Sequence, residues 1–475
     1  MTQKMQGEKG AITLEEILYW VEVVNDRVNS IVWGPIMLAL LIGTGLYLSI
    51  RMGFPQFSRF RFIMKSTIGT MFNSKHHKKD ASGVSPFQAV ATAMAGTIGT
   101  GSITGIATAI TMGGPGAVFW MWVSALVGMV TKYSEILLAV HFREKNSKGQ
   151  WVGGPMYYIR NGLGLKWLAA AFAFFAAMTC LGTGNMTQAN SISVALESVL
   201  HVPRWVTGLI LAAIVGAVIL GGIKRIASVN ERLVPFMAVF YVICAVITLV
   251  INWQAVPEAF ALIFEEAFNF EAAFGGAAGY GIILAMRFGF ARGVFSNEAG
   301  LGSAPIAHAA SSTKSPVEQG MWGMFEVFFT TIVICTLSAL VILTSGLWET
   351  SGLEGSALSI ASYNQALPYV GGIGVTLATI FFATSTIFGW AYYGEKSIEY
   401  LFHNSRIAVI TYRVIYVIFV IIGAVGSLSL IWGISDTMNG LMAIPNLIGV
   451  CGLSGVVIKL TKDYFAAIPK HQKNV

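Results

Sequence analysis

The sequence predicts an all-α membrane protein with about eleven transmembrane helices, and three observations lead there. Of its 475 residues, 55% are hydrophobic and 11% charged, less than half the roughly 25% charge of soluble domains. Apolar runs of about 18 residues or more recur along the chain, and about 20 residues cross a roughly 30 Å hydrocarbon core. Between the runs, loops rich in Lys and Arg alternate with loops nearly free of them, the pattern that orients membrane helices.

The runs fall at 32–50, 84–111, 116–141, 168–197, 205–222, 233–252, 279–308, 320–345, 371–394, 407–429 and 433–458. None is followed by a soluble domain, so the chain reads as one unit whose solvent is the lipid bilayer. The N-terminus lacks the charged, apolar and small-residue regions of a signal peptide, so the first span is expected to direct insertion. Cys180, Cys244, Cys335 and Cys451 all sit in apolar stretches without CxxC spacing, as small core hydrophobes do. The formal charge of +7 comes from loop residues and marks topology, not nucleic-acid binding.

Basic residues gather after the first span (Arg51, Arg59, Arg61, Lys65, Lys75, Lys78, Lys79) and after the third (Arg143, Lys145, Lys148, Arg160, Lys166). Lys224, Arg225, Lys396, Arg406 and the tail residues Lys459, Lys462, Lys470 and Lys473 continue the series. The intervening loops hold Glu258, Glu265, Glu266, Glu271, Glu349 and Glu354 without Lys or Arg, save Arg204 near 198–204. This places the N-terminus outside and the C-terminus in the cytoplasm, as an odd span count requires. Leu14 to Asn29 mixes apolar and acidic residues and reads as an interfacial helix.

Two spans are poor helices at their centres. Gly96-Thr97-Ile98-Gly99-Thr100-Gly101-Ser102-Ile103-Thr104-Gly105 packs four glycines and four hydroxyls into the second, against helix propensity. Arg292 to Ser303, with three glycines and two serines, is a similarly poor helix interior in the seventh. Five spans separate the two starts, an odd offset that inverts one copy relative to the other. The chain thus divides into an interfacial segment 1–31, an extra helix and basic loop 32–83, a first repeat 84–252, an outer loop 253–278, a second repeat 279–460 and a tail 461–475.

Interrupted helices at matching positions of two halves point to a transporter's binding site. Unwound backbone is tolerated at that depth only against protein or a cavity. Half-helix N-termini can hold a carboxylate there, and freed carbonyls a sodium ion or a proton-linked group. Small-residue helix packing is the competing reading; two breaks at an inverting offset favour the cavity. Asn185, Thr187, Gln188, Asn190 and Ser191 in the fourth span are costly in lipid unless turned inward. Thr384, Ser385 and Thr386 precede Trp390 as compact oxygen donors, suited to a small hard cation or to helix packing. Glu298 follows Asn297, a capping residue, and reads as structural ahead of ion coupling. Arg287 and Arg292 are expected to be paired or turned to a cavity.

The stretch from Gly113 through Trp122 to Gly128, Gly153-Gly154-Pro155-Met156-Tyr157-Tyr158, and Arg292 to His308 resemble the alanine or glycine:cation symporter family, over about residues 30 to 460. The resemblance implies a leucine-transporter-type fold, a 5+5 inverted repeat preceded by one extra helix. It also implies sodium-driven uptake of alanine or glycine across the plasma (inner) membrane of a prokaryote. Carried over, it puts Thr97, Gly99, Thr100, Gly101 and Ser102 at the substrate, with Gln188, Phe295, Asn297 and Trp390 closing the pocket. It puts sodium at the carbonyls of Ala95 and Ile98 and the hydroxyls of Thr384 and Ser385. The family reads Gly-Thr-Gly-Asn where this chain has Ser102. Proton or another cation in place of sodium, and glutamine or another neutral amino acid in place of alanine, remain open.

Enzyme and channel classes fit poorly. None of the seven histidines falls at the centre of an expected span to activate Ser102, and the sequence has no charged ring or repeated filter.

Overall fold

The computed structural model describes residues 14–70, 83–268 and 278–468. Lys75, Lys78, Lys79, Glu271, Lys470 and Lys473 lie outside these. The described residues are almost wholly helical, with one two-stranded ribbon, Glu144–Lys145 against Trp151–Val152.

The principal helices are α1 (Leu14–Val32), α2 (Pro35–Met52), α3 (Pro86–Thr97), α4 (Thr104–Gly113), α5 (Gly116–His141), α6 (Lys166–Leu200), α7 (Arg204–Ile219), α8 (Gly222–Ile251), α9 (Ala278–Asn297), α10 (Ala304–Ala309), α11 (Pro316–Ser345), α12 (Val370–Leu401), α13 (Arg406–Val425), α14 (Leu428–Gly452) and α15 (Ser454–Ala467). Seven of them, α2, α5, α6, α8, α11, α12 and α13, are long and apolar enough to cross a bilayer, and α14 with α15 forms an eighth candidate bent by 57°. Of the expected spans, 205–222 falls on the shorter α7, while 84–111 and 279–308 fall on the interrupted pairs α3–α4 and α9–α10.

Local chemistry sets the ends. Ser85 and Gln88 make a reciprocal capping box with Pro86 in the first turn of α3, satisfying donors that a helix start leaves bare. Gly53 closes α2 in the left-handed region at φ 73°, where a side chain would be strained. α6 and α11 each contain a π-helical stretch, Gly182–Met186 and Phe328–Cys335, a wide turn frequent at functional sites.

Burial sorts the helices by position. In α5, 83% of the most apolar stretch is buried inside the protein, against 28% in α13, so α5 is central and α13 faces outward. The broken pairs pack around α5, whose residues from Gly128 to Val140 are all buried.

Several expected loop residues are helical. Lys224 and Arg225 belong to the first turns of α8, and Lys396 lies within α12, buried and paired with Glu399. α1 packs on α14 through Asn29 Nδ2 to Thr437 Oγ1 (3.1 Å), and Trp33 Nε1 just beyond it reaches Asp436 O (2.8 Å). Arg287 and Arg292 are paired with other elements, not each other: Arg287 donates to Asn29 Oδ1 at 3.3 Å and Arg292 to Asp436 Oδ1 at 2.8 Å.

Candidate substrate and ion site at two helix breaks

Both expected interruptions are present and adjacent. α3 stops at Thr97, a single 3₁₀ turn spans Thr100–Ser102, and α4 begins at Thr104. α9 stops at Asn297, and α10 starts at Ala304 after an irregular turn. Residues 87–107 and 289–311 are buried without exception, so the unwound backbone lies wholly inside protein, as its exposed polar groups demand.

The two breaks touch. Ser102 Oγ lies 3.0 Å from Ser296 Oγ, which in turn lies 3.1 Å from Cys335 Sγ. A Cβ on Gly101 would stand 2.7 Å from Phe295 Cδ1, so only glycine admits this approach. Thr100 donates through both its N–H (3.1 Å) and its hydroxyl (2.9 Å) to one oxygen, Gln188 Oε1. Gln188 Nε2 is itself held by Thr183 O at 2.9 Å in the π-helical turn. That same turn presents Gly184, where a Cβ would lie 2.2 Å from Trp390 Cβ. Trp390 Nε1 then reaches Gly96 O at 3.2 Å and Glu298 Oε1 at 3.0 Å.

The freed carbonyls at the end of α3 are taken by α12. Thr386 Oγ1 donates to Ala95 O at 2.8 Å, and Thr386 and Trp390, four residues apart, share one face of that helix. Ser385 turns instead to Phe382 O (2.9 Å) and Met237 Sδ (3.4 Å). Thr384 is only half-buried, rotated about 200° from Thr386 around the helix. The hydroxyl brought to Ala95 is therefore Thr386. Ile98 is fully buried at the break, with φ −84° and ψ 76°.

Asn297 behaves as a cap: its Oδ1 accepts from Ala299 N (2.9 Å), while Nδ2 donates to Thr331 Oγ1 (3.1 Å). Glu298 follows in the left-handed region at φ 58°, a conformation costing a non-glycine residue about 1 kcal/mol or more. Its carboxylate is anchored by Trp390 and by Ser303 Oγ at 2.6 Å. Thr97 Oγ1 donates to Ala93 O (2.9 Å) and accepts from Lys132 Nζ (3.0 Å), so it faces α5 and not the Gln188 side of the break.

Both approaches along the broken helices are covered. Before the α9 break, Phe295 stacks on Trp432 with centroids 5.0 Å apart, and Arg292 lies over Trp432 while pairing with Asp436. Beyond α10, Val84 and residues 310–312 pair as backbone (Val84 N to Ala310 O 3.1 Å, Ser312 N to Val84 O 2.9 Å). Arg143 reinforces this end from Ser311 O (2.5 Å) and Thr313 O (2.6 Å), stacked on Trp151. Burial lowers its pKa to about 10, so the guanidinium stays cationic at neutral pH.

Lys132, Glu326, His308 and the Arg292–Asp436 pair are not among the expected site residues. Thr386 is one of the three candidate oxygen donors before Trp390, but the family resemblance puts sodium at Thr384 and Ser385; helix phase singles out Thr386, one turn before Trp390. The others are isolated polar residues in apolar runs, and nothing local announces their partners.

The model for the sodium:alanine symporter family matches residues 18–475. The chain belongs to that family. It is 47% identical over 463 residues to the sodium/alanine symporter AgcS of Methanococcus maripaludis, covering 96% of this chain and 99% of that one. It is 37% identical over 444 residues to the probable sodium/glutamine symporter GlnT of Bacillus subtilis, covering 94% and 91%. Among solved structures, MhsT in complex with L-phenylalanine is similar in fold, with a TM-score of 0.56 at 13% identity, covering 82% of this chain and 100% of that one. This family member is thus a multi-pass membrane transporter, not an enzyme, and couples amino-acid movement to a cation.

Proposed function

We propose that this transporter imports a small neutral amino acid, alanine or glycine, together with sodium by alternating access. The observation that carries this reading is Thr100, whose N–H and hydroxyl converge on one acceptor oxygen at a helix break. A substrate carboxylate presents an acceptor for both of these Thr100 donors, and charge-assisted bonds are roughly twice as strong as neutral ones. Gln188 would yield its place and line the pocket with Phe295, Asn297 and Trp390. Close packing of Gly101 on Phe295 and of Ser102 on Ser296 favours a side chain no larger than methyl. The GlnT relative keeps glutamine as the second reading.

The sodium would lie among the carbonyls of Ala95 and Ile98 and the hydroxyl of Thr386, which takes the place expected of Thr384 and Ser385. The full arrangement is eleven crossings, N-terminus outside and C-terminus cytoplasmic, with two inverted five-helix repeats after the first. The charge asymmetry of the loops and the inverting offset of the breaks support it. The Arg292–Asp436 lid would then face outward and the Arg143 clasp inward, opening one at a time.

Uptake into proteoliposomes tests this, comparing labelled alanine, glycine and glutamine under sodium, lithium and proton gradients. The expected result is sodium-driven accumulation of alanine or glycine; accumulation driven only by a proton gradient, or of glutamine alone, contradicts it. Ser102→Asn is expected to shift the competition profile among the three by about tenfold, or about 1.4 kcal/mol of differential binding, since it fills space beside Ser296. Identical profiles would remove Ser102 from selectivity.

A further inference from the structure

Both half-helices that enter the breaks end at the same ammonium group. α3 finishes at Thr97 and α9 at Asn297, and Lys132 Nζ donates to Thr97 Oγ1 at 3.0 Å and to Asn297 O at 2.8 Å. Helix C-termini carry freed carbonyls and the negative end of the macrodipole, so two of them together attract a cation. Lys132 reaches this point from the central helix α5 with no solvent exposure, and Glu326 Oε2 on α11 lies 3.1 Å from it, also fully buried.

The carboxylate is held in turn. His308 Nε2 lies 2.9 Å from Glu326 Oε1, and Gln319 Nε2 lies 2.8 Å from His308 Nδ1. An amide N–H donating to Nδ1 leaves Nε2 as the donor to Glu326. The chain Gln319–His308–Glu326–Lys132 therefore ends on a positive charge placed between the breaks. Glu135 and Glu298, both buried, lie within its electrostatic reach.

We propose that Lys132 is a resident cation of the transport site, filling the place at the two convergent helix ends that a free monovalent cation would otherwise take. The mobile coupling ion then binds only on the α12 side of the break, near Ala95 and Thr386. The ammonium also ties the two broken helices and α11 into one body that moves together.

This inference rests on the sodium-transport reading, and its test separates the two. In Lys132→Gln the charge is gone while the helix ends and Glu326 remain, leaving a site that sodium can enter. Reconstituted Lys132→Gln protein is expected to need about tenfold more sodium for half-maximal uptake, with a Hill coefficient higher by about one. Its melting temperature in detergent is expected to rise with sodium, relative to choline at equal ionic strength, more than that of the unsubstituted protein, because a bound ligand stabilises the folded state. That readout requires no transport. In the double variant Lys132→Gln/Glu326→Gln the extra sodium effect should disappear.

A sodium slope and melting response in Lys132→Gln equal to those of the unsubstituted protein would overturn the proposal. So would rescue by acid alone, or failure to recover the folded single variant in high sodium while the double variant is recovered. Sodium-independent uptake by the unsubstituted protein would instead sink the transport reading itself.

Discussion

Gly101→Leu is expected to abolish amino-acid uptake while the chain still inserts and purifies as a folded protein. The first carbon of any side chain at 101 would already stand 2.7 Å from Phe295 Cδ1 and 3.4 Å from the Ser296 backbone. A leucine must push the two breaks apart or fill the space between them. Overpacking of this kind costs about 1–3 kcal/mol of stability, which helices packed as tightly as α5 should absorb. The substrate site has no such reserve, because the carboxylate donors at Thr100 and the opposing Phe295 are set by that one contact. Uptake and monodispersity measured on the same preparation check this. Normal uptake by Gly101→Leu would mean that the substrate does not pass between the breaks.

Thr386→Val is expected to raise the sodium concentration for half-maximal uptake by about tenfold or more, equivalent to about 1.4 kcal/mol, with a smaller effect at saturating sodium. Valine keeps the shape of threonine but removes the hydroxyl that meets Ala95 O at 2.8 Å, taking one oxygen from the proposed sodium site. Thr384→Val is the matched control, on the opposite face of α12 and half-buried, and is expected to leave the sodium dependence nearly unchanged. Initial rates of labelled alanine uptake against sodium, at constant ionic strength, decide between them. A large effect at 384 and none at 386 would move the ion site to the other face of the helix.

What could be read in the sequence was what is local. Four glycines and four hydroxyls within Gly96–Gly105 break a helix wherever they occur, and the second break at Ser296–Ser303 is equally self-contained. The long apolar helices were legible for the same reason. Helix phase was legible in principle, yet Thr384 and Ser385 were expected where Thr386 stands, because three consecutive hydroxyls look alike until Trp390 fixes the face. Lys396 was expected in a loop because a lysine after an apolar run ordinarily ends it, whereas Glu399 one turn on lets α12 carry it inside. Lys132 was least legible of all. Its partners Thr97, Asn297 and Glu326 are 35, 165 and 194 residues away, and only packing three helices on α5 brings them to one nitrogen.

The central claim is that the two breaks together form one amino-acid site that fills only with sodium. Equilibrium binding of labelled alanine to the purified protein, in sodium chloride and in choline chloride, tests it most directly. The account predicts saturable binding of about one alanine per chain in sodium, little in choline, and loss in Gly101→Leu through occlusion of the ligand-accessible space. Equal binding in both salts, or undiminished binding by Gly101→Leu, would contradict it.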